Sequence, residues 1–93
     1  MANESSMFVG TKPFMNYVTG VVMQFTAKGS SQVTIKARGK FIYRAVDIAE
    51  VVRKRFLKDQ VDVKEIKIDS EEFTNNEGKQ IRVSTIEIAL AKK

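Results

Sequence analysis

Residues Gln32 to Arg44 read QVTIKARGKFIYR, and their spacing decides the fold. Val33, Ile35 and Ala37 alternate with Thr34, Lys36 and Arg38, which predicts a strand over Gln32 to Arg38 with one apolar and one basic face. Gly39 ends it. The period then changes: Ile42, Ala45, Ala49, Val52 and Phe56 recur at helical spacing, and Ile48 and Val51 widen the stripe past one face. A helix apolar over more than one face has two sides to bury, so a second copy of the chain is the expected other neighbour. Between strand and helix lies a run of cations, Lys36-Ala37-Arg38-Gly39-Lys40, followed by Arg44.

Toward the N-terminus, Met7-Phe8-Val9 is a short apolar run closed by Gly10, which reads as a brief strand. Pro13 suits a first helical position, where a missing N–H costs nothing. Met15, Val18, Val22 and Phe25 follow at helical spacing and Lys28-Gly29 supplies a stop, predicting a helix from Pro13 to Lys28. Met1 to Ser6 is polar and reads as a disordered lead-in, leaving 7–93 as a single domain. Toward the C-terminus, Val61 to Asp69 is β-branched and alternates, with a slip between Val63 and Ile66 that predicts a bulge. Arg82 to Ala91 alternates again, with Ser84, Ile86, Ile88 and Leu90 on one face, and Asn75-Asn76-Glu77-Gly78 supplies turn chemistry between the two. The order is β-α-β-α-β-β, an α+β two-layer sandwich with a long β-hairpin arm.

Charge is unevenly placed on this frame. Through Ala45, Lys12, Lys28, Lys36, Arg38, Lys40 and Arg44 face the single acid Glu4, which accounts for the whole formal net charge of +5. From Val46 onward, ten Lys/Arg and ten Asp/Glu cancel. A one-signed field of this kind selects a polyanionic partner. Gly10-Thr11-Lys12-Pro13 is the other strand-to-helix junction, and in a β-α-β unit with parallel strands both junctions reach the same edge of the sheet. Helix-start N–H groups add phosphate donors there. The two junctions read as a phosphate-gripping ledge, against the plainer reading of a solvated face. Phe14, Tyr17, Phe41 and Tyr43 lie near these cations and can stack bases. Phe25 and Phe56 fit helical core stripes, and Tyr17 stands between surface contact and partial core. In the hairpin, Lys79 and Arg82 can reach a nucleic-acid groove. Glu71, Glu72 and Glu77 make the same segment net negative, so a purely structural hairpin competes.

The chain has no Cys and no His, which excludes disulfides, Cys/His zinc sites, thiol nucleophiles and imidazole dyads. Its carboxylates Asp47, Glu50 and Asp69 have no spacing that assembles a metal set, and no two glycines stand at phosphate-loop or GxxG spacing. No enzyme activity, metal or cofactor is expected. Met1 to Ser6 does not resemble a signal peptide and no apolar run reaches membrane-spanning length, so a soluble intracellular protein is expected.

Gly10-Thr11-Lys12-Pro13-Phe14-Met15-Asn16-Tyr17-Val18 resembles the opening motif of the archaeal Alba chromatin proteins. Ile35-Lys36-Ala37-Arg38-Gly39-Lys40 with Ala45-Val46-Asp47 resembles their second motif, Arg53 to Leu57 a third, and Arg82 to Ile88 a fourth. The motifs fall in family order over nearly the whole chain. The resemblance implies a fold like the C-terminal domain of translation initiation factor 3, assembled as a homodimer. It implies sequence-tolerant binding of double-stranded DNA, and of RNA, by a cytoplasmic, chromosome-associated protein that coats or compacts DNA. A dedicated RNA-binding role in RNA processing or translation is the alternative. Carried over by motif, the nucleic-acid contacts fall on Lys12, Asn16, Tyr17, Arg38, Lys40 and Arg44, with Arg82 in the arm. Dimer–dimer contacts fall on Arg53, Arg55, Phe56 and Leu57. Many members carry two lysines before the proline, the first reversibly acetylated. Thr11 occupies that position here, leaving Lys12 as the acetylation candidate and a deacetylase as the partner that would reset it.

Overall fold

The computed structural model describes residues 4–93, so Met1 to Asn3 of the expected lead-in lie outside the described residues. Glu4 to Ser6 are not a lead-in: β1 runs Glu4–Phe8 and pairs in parallel with β2, Glu4 opposite Gln32 and Phe8 opposite Lys36. These polar residues become a strand because the ladder asks only for their backbone groups. β2 spans Gln32–Arg38 as the alternation predicts, with Val33, Ile35 and Ala37 buried. α1 is Phe14–Thr26, one residue inside the predicted start, because Pro13 keeps an extended ψ of 141° and stands just outside the helix. Its buried side is Tyr17, Val18, Val21 and Phe25 rather than a stripe through Met15, which is exposed.

A 3₁₀ turn over Gly39–Phe41 leads into α2, Ile42–Val51. Gly39 has φ 54°, a left-handed conformation that strains any residue with a Cβ, which is why the strand-to-helix turn is made on glycine. α2 continues into a π turn, Val52–Phe56, closed by the Leu57 N–H donating to the Val52 carbonyl at 2.8 Å. The wider turn shifts the helical phase by one residue. Leu57 therefore takes the core position that 3.6-residue spacing assigns to Phe56: Leu57 is 4% exposed and Phe56 48%.

β3 (Val61–Thr74) and β4 (Gln80–Lys92) form a long antiparallel hairpin, with the predicted bulge between Val63 and Glu65. Asn75 closes the turn, its Oδ1 accepting the N–H groups of Glu77 and Lys79 at 2.9 and 3.0 Å. The sheet order is β1-β2-β4-β3, and the two helices cover one of its faces. Between the layers Val18, Val21, Val33, Ile35, Ile48, Val52 and Leu90 are fully buried and form the centre of the core. β2 stops pairing at Arg38–Thr85, while β3 and β4 continue for five more ladder pairs, Ser70–Ser84 to Thr74–Gln80. At about 3.4 Å per residue, the hairpin projects roughly 17 Å beyond the end of β2.

Candidate nucleic-acid interface

Because β1 and β2 are parallel, Gly10–Pro13 and Gly39–Phe41 leave the sheet at the same end, each turning into a helix start. The two junctions are physically joined. Arg44 of α2 donates from Nη1 to the Gly10 carbonyl, and its guanidinium stands 5.6 Å from the Tyr17 ring centroid. Tyr17 completes the clamp. Its ring is in the core at 7% exposure. Its hydroxyl accepts the N–H of Gly10 at 2.9 Å and of Lys12 at 3.2 Å, fixing the loop that carries Lys12. Tyr17 is thus a core residue that shapes the junction, which resolves the two sequence readings in favour of burial.

Lys12, Arg38 and Lys40 are exposed around this clamp, as is Asn16 in the first turn of α1. Lys40 Nζ lies 5.5 Å from the Phe41 ring centroid. Arg38 is engaged: its Nε meets Glu71 Oε1 of the arm at 3.0 Å, with both side chains about half exposed. The structure brings Lys12, Asn16, Arg38, Lys40 and Arg44 to one end of the sheet. Arg82 lies apart, on the arm, with Glu72 directly across the ladder.

The Arg53–Leu57 segment divides. Leu57 belongs to the core, so it is not available as a surface contact between dimers; the π turn rotates it inward. Arg53 is held by Glu50 through Nε at 2.8 Å and Nη2 at 3.0 Å, with Asp62 at 3.5 Å. Arg55 and Phe56 are exposed.

Sequence reasoning missed two features. The Arg38–Glu71 pair joins residues far apart in the chain, and only the β2–β4–β3 register brings them together. Phe8, read as part of an apolar strand, faces away from the helices and is one of the most exposed aromatic rings of the fold. Its place opposite Lys36, on the basic face of β2, was the available signal. Among the described residues no group of three carboxylates stands close enough to hold a metal ion, and no helix is long and apolar enough to cross a membrane.

The Alba family model matches residues 5–70. DNA/RNA-binding protein Alba 1 of Archaeoglobus fulgidus is 59% identical over 97% of this chain and 98% of its own length. DNA/RNA-binding protein Alba of Nanoarchaeum equitans is 60% identical over 94% and 97%. Among solved structures, Alba from Thermoplasma volcanium superposes with a TM-score of 0.83 at 45% identity, covering 92% of this chain and 98% of that one. ALBA1 from Trypanosoma brucei gives 0.67 at 25% identity, covering 94% and 68%. With the family model matched over residues 5–70 and relatives 59–60% identical along nearly their whole length, the chain belongs to the Alba family.

Proposed function

We propose that the chain binds the phosphate backbones of duplex DNA and of RNA with little sequence preference, as a homodimer that coats or compacts chromosomal DNA. The observation that carries this reading is the ledge: Lys12, Arg38, Lys40 and Arg44 gathered at one end of a parallel strand pair beside two helix starts. Kinship supports it, since archaeal relatives 53–60% identical to the chain bear the name DNA/RNA-binding protein Alba. Lys12, Arg38 and Lys40 neutralise phosphates and release their counterions. Arg44 holds the Gly10 carbonyl with one of its five donors and turns the others to the backbone. Asn16 hydrogen-bonds a sugar or phosphate oxygen, Tyr17 acts through the loop it pins, and Arg82 carries the arm into a flanking groove.

The dimer reading rests on an uncovered apolar face. Past the bulge, Ile66 and Ile68 point to the helix side of the sheet, opposite Ile88 and Ile86, yet α2 stops short of them and Ile68 is 79% exposed. Ile42, Ile68 and Ile86 line a groove of about 360 Å³ between α2 and the hairpin. Tyr43 and Val46 extend the apolar surface along α2. A second copy seated there buries this patch and doubles the ledge. Arg55 and Phe56, exposed on the π turn, are the contact between neighbouring dimers on DNA. Acetylation of Lys12 removes one ledge charge per subunit, and a deacetylase restores it.

Replacing Arg38 and Lys40 together with Glu lowers duplex affinity about 100-fold, read by fluorescence anisotropy. Unchanged retention on DNA contradicts the reading and favours a basic face that meets an acidic protein. The relatives' names pair RNA with DNA, which supports RNA as a ligand too. Competition between duplex DNA and folded RNA of equal length ranks them; RNA winning by more than about tenfold makes the chain a dedicated RNA binder.

A further inference from the structure

β1 ends on Phe8, which pairs across the parallel ladder with Lys36, whereas its neighbour Met7 pairs with the buried Ile35. Phe8 therefore stands on the sheet face opposite the helices, 70% exposed. Lys36 Nζ lies 5.5 Å from its ring centroid. Beside the ring opens a groove of about 370 Å³, lined by Phe8, Ala37, Arg38, Gly39, Phe41 and Val83. Gly39 contributes no side chain, so the wall there is bare backbone.

The chemistry of this groove is specific. A flat aromatic ring and short apolar groups form its inside, and cations stand at its rim: Lys36 over Phe8, Arg38 within the lining, and Lys40 over Phe41. The carboxylates of an acidic peptide use the cations but leave the ring and slot unfilled. A duplex uses the cations too, but its bases are covered on both faces by stacking. An unpaired nucleobase satisfies both, having a flat π face for the ring and a phosphate on either side for the rim. The groove is also continuous with the ledge, since Arg38 belongs to both.

We propose that this groove is a subsite for one unpaired base of single-stranded nucleic acid: the base stacks on Phe8, and Lys36 and Arg38 hold its flanking phosphates. The subsite rests on the ledge being a phosphate-binding surface and extends it from duplex to single strand. Glu71, ion-paired to Arg38 at 3.0 Å, bounds the site on the arm side.

The chain contains no tryptophan, so Phe8→Trp in the full-length protein installs a single reporter on an exposed position. A dozen-nucleotide oligothymidylate, which does not pair with itself, quenches the introduced indole by about half at saturation, and a duplex of about thirty base pairs leaves it unchanged. Phe8→Ala weakens oligothymidylate binding about tenfold and changes duplex affinity less than twofold. The subsite is overturned if the indole does not respond to bound oligothymidylate, if Phe8→Ala leaves single-strand affinity intact, or if both ligands weaken together. A change in the mass of the free protein on Phe8→Ala, with single-strand binding intact, assigns the groove to self-association instead. Failure of the parent protein to hold the duplex is a separate result, which removes the ledge itself.

Discussion

Ledge and arm lie at the same end of the molecule, yet they are built on opposite physics. The ledge is short, clamped by Arg44 and Tyr17 onto a packed core, and its charged side chains are all cations. The arm is five ladder pairs long, half-buried along that ladder only at Ile81 and Val83, and carries Glu71, Glu72 and Glu77 against Lys79 and Arg82. A clamped cation set binds phosphate without ordering itself first, whereas an exposed, mixed-charge hairpin gives up freedom and meets like-charge repulsion. Under the proposed function, the ledge supplies affinity and the arm adjusts it. The Arg38–Glu71 pair is where the two meet: an acid of the arm is paired with the ledge cation that the proposed function gives to phosphate.

Substitutions in the two regions therefore have unequal consequences. Ile68→Asp puts a charge into the apolar patch of the hairpin root, so the free protein runs at monomer mass in analytical ultracentrifugation. Duplex affinity then falls about tenfold or more, because each complex keeps half the ledge. A dimer that survives this change relocates the interface. Arg82→Ala trims the arm alone and costs about threefold in affinity, with the salt slope shallower by about one for each phosphate that Arg82 no longer neutralises. A loss as large as that of the ledge reversal makes the arm the principal grip. Glu71→Gln releases Arg38 and raises duplex affinity about twofold, in keeping with the small worth of an exposed ion pair. A decrease means that Glu71 positions Arg38 rather than competing for it.

Much of this is written locally in the sequence. β2 is legible because one buried and one wet face impose strict alternation on Gln32 to Arg38, and the bulge shows where Val63 and Ile66 fall out of phase. Family motifs mark Lys12, Arg38 and Lys40. The parts that escaped are those where the backbone, or the register, decides. Glu4 to Ser6 and Ser70 to Thr74 are strand through ladder bonds to a neighbour, and their side chains, polar apart from Phe73, carry no alternation to announce it. The π turn exchanges Phe56 and Leu57 between surface and core by one hydrogen bond, with no residue type that signals it. Tyr17 looks amphipathic from its position, and only the Gly10 and Lys12 N–H groups at its hydroxyl show why a polar-tipped ring can be buried.

The claim that the ledge is the grip is tested most directly by the salt dependence of duplex binding by the unmodified protein. Lys12, Arg38 and Lys40 from two subunits neutralise about six phosphates, so log affinity plotted against log salt has a slope near −5, and binding weakens roughly 1,000-fold between about 50 and about 200 mM. A slope shallower than about −2 contradicts the account, because a basic ledge that releases few counterions is not what holds the nucleic acid.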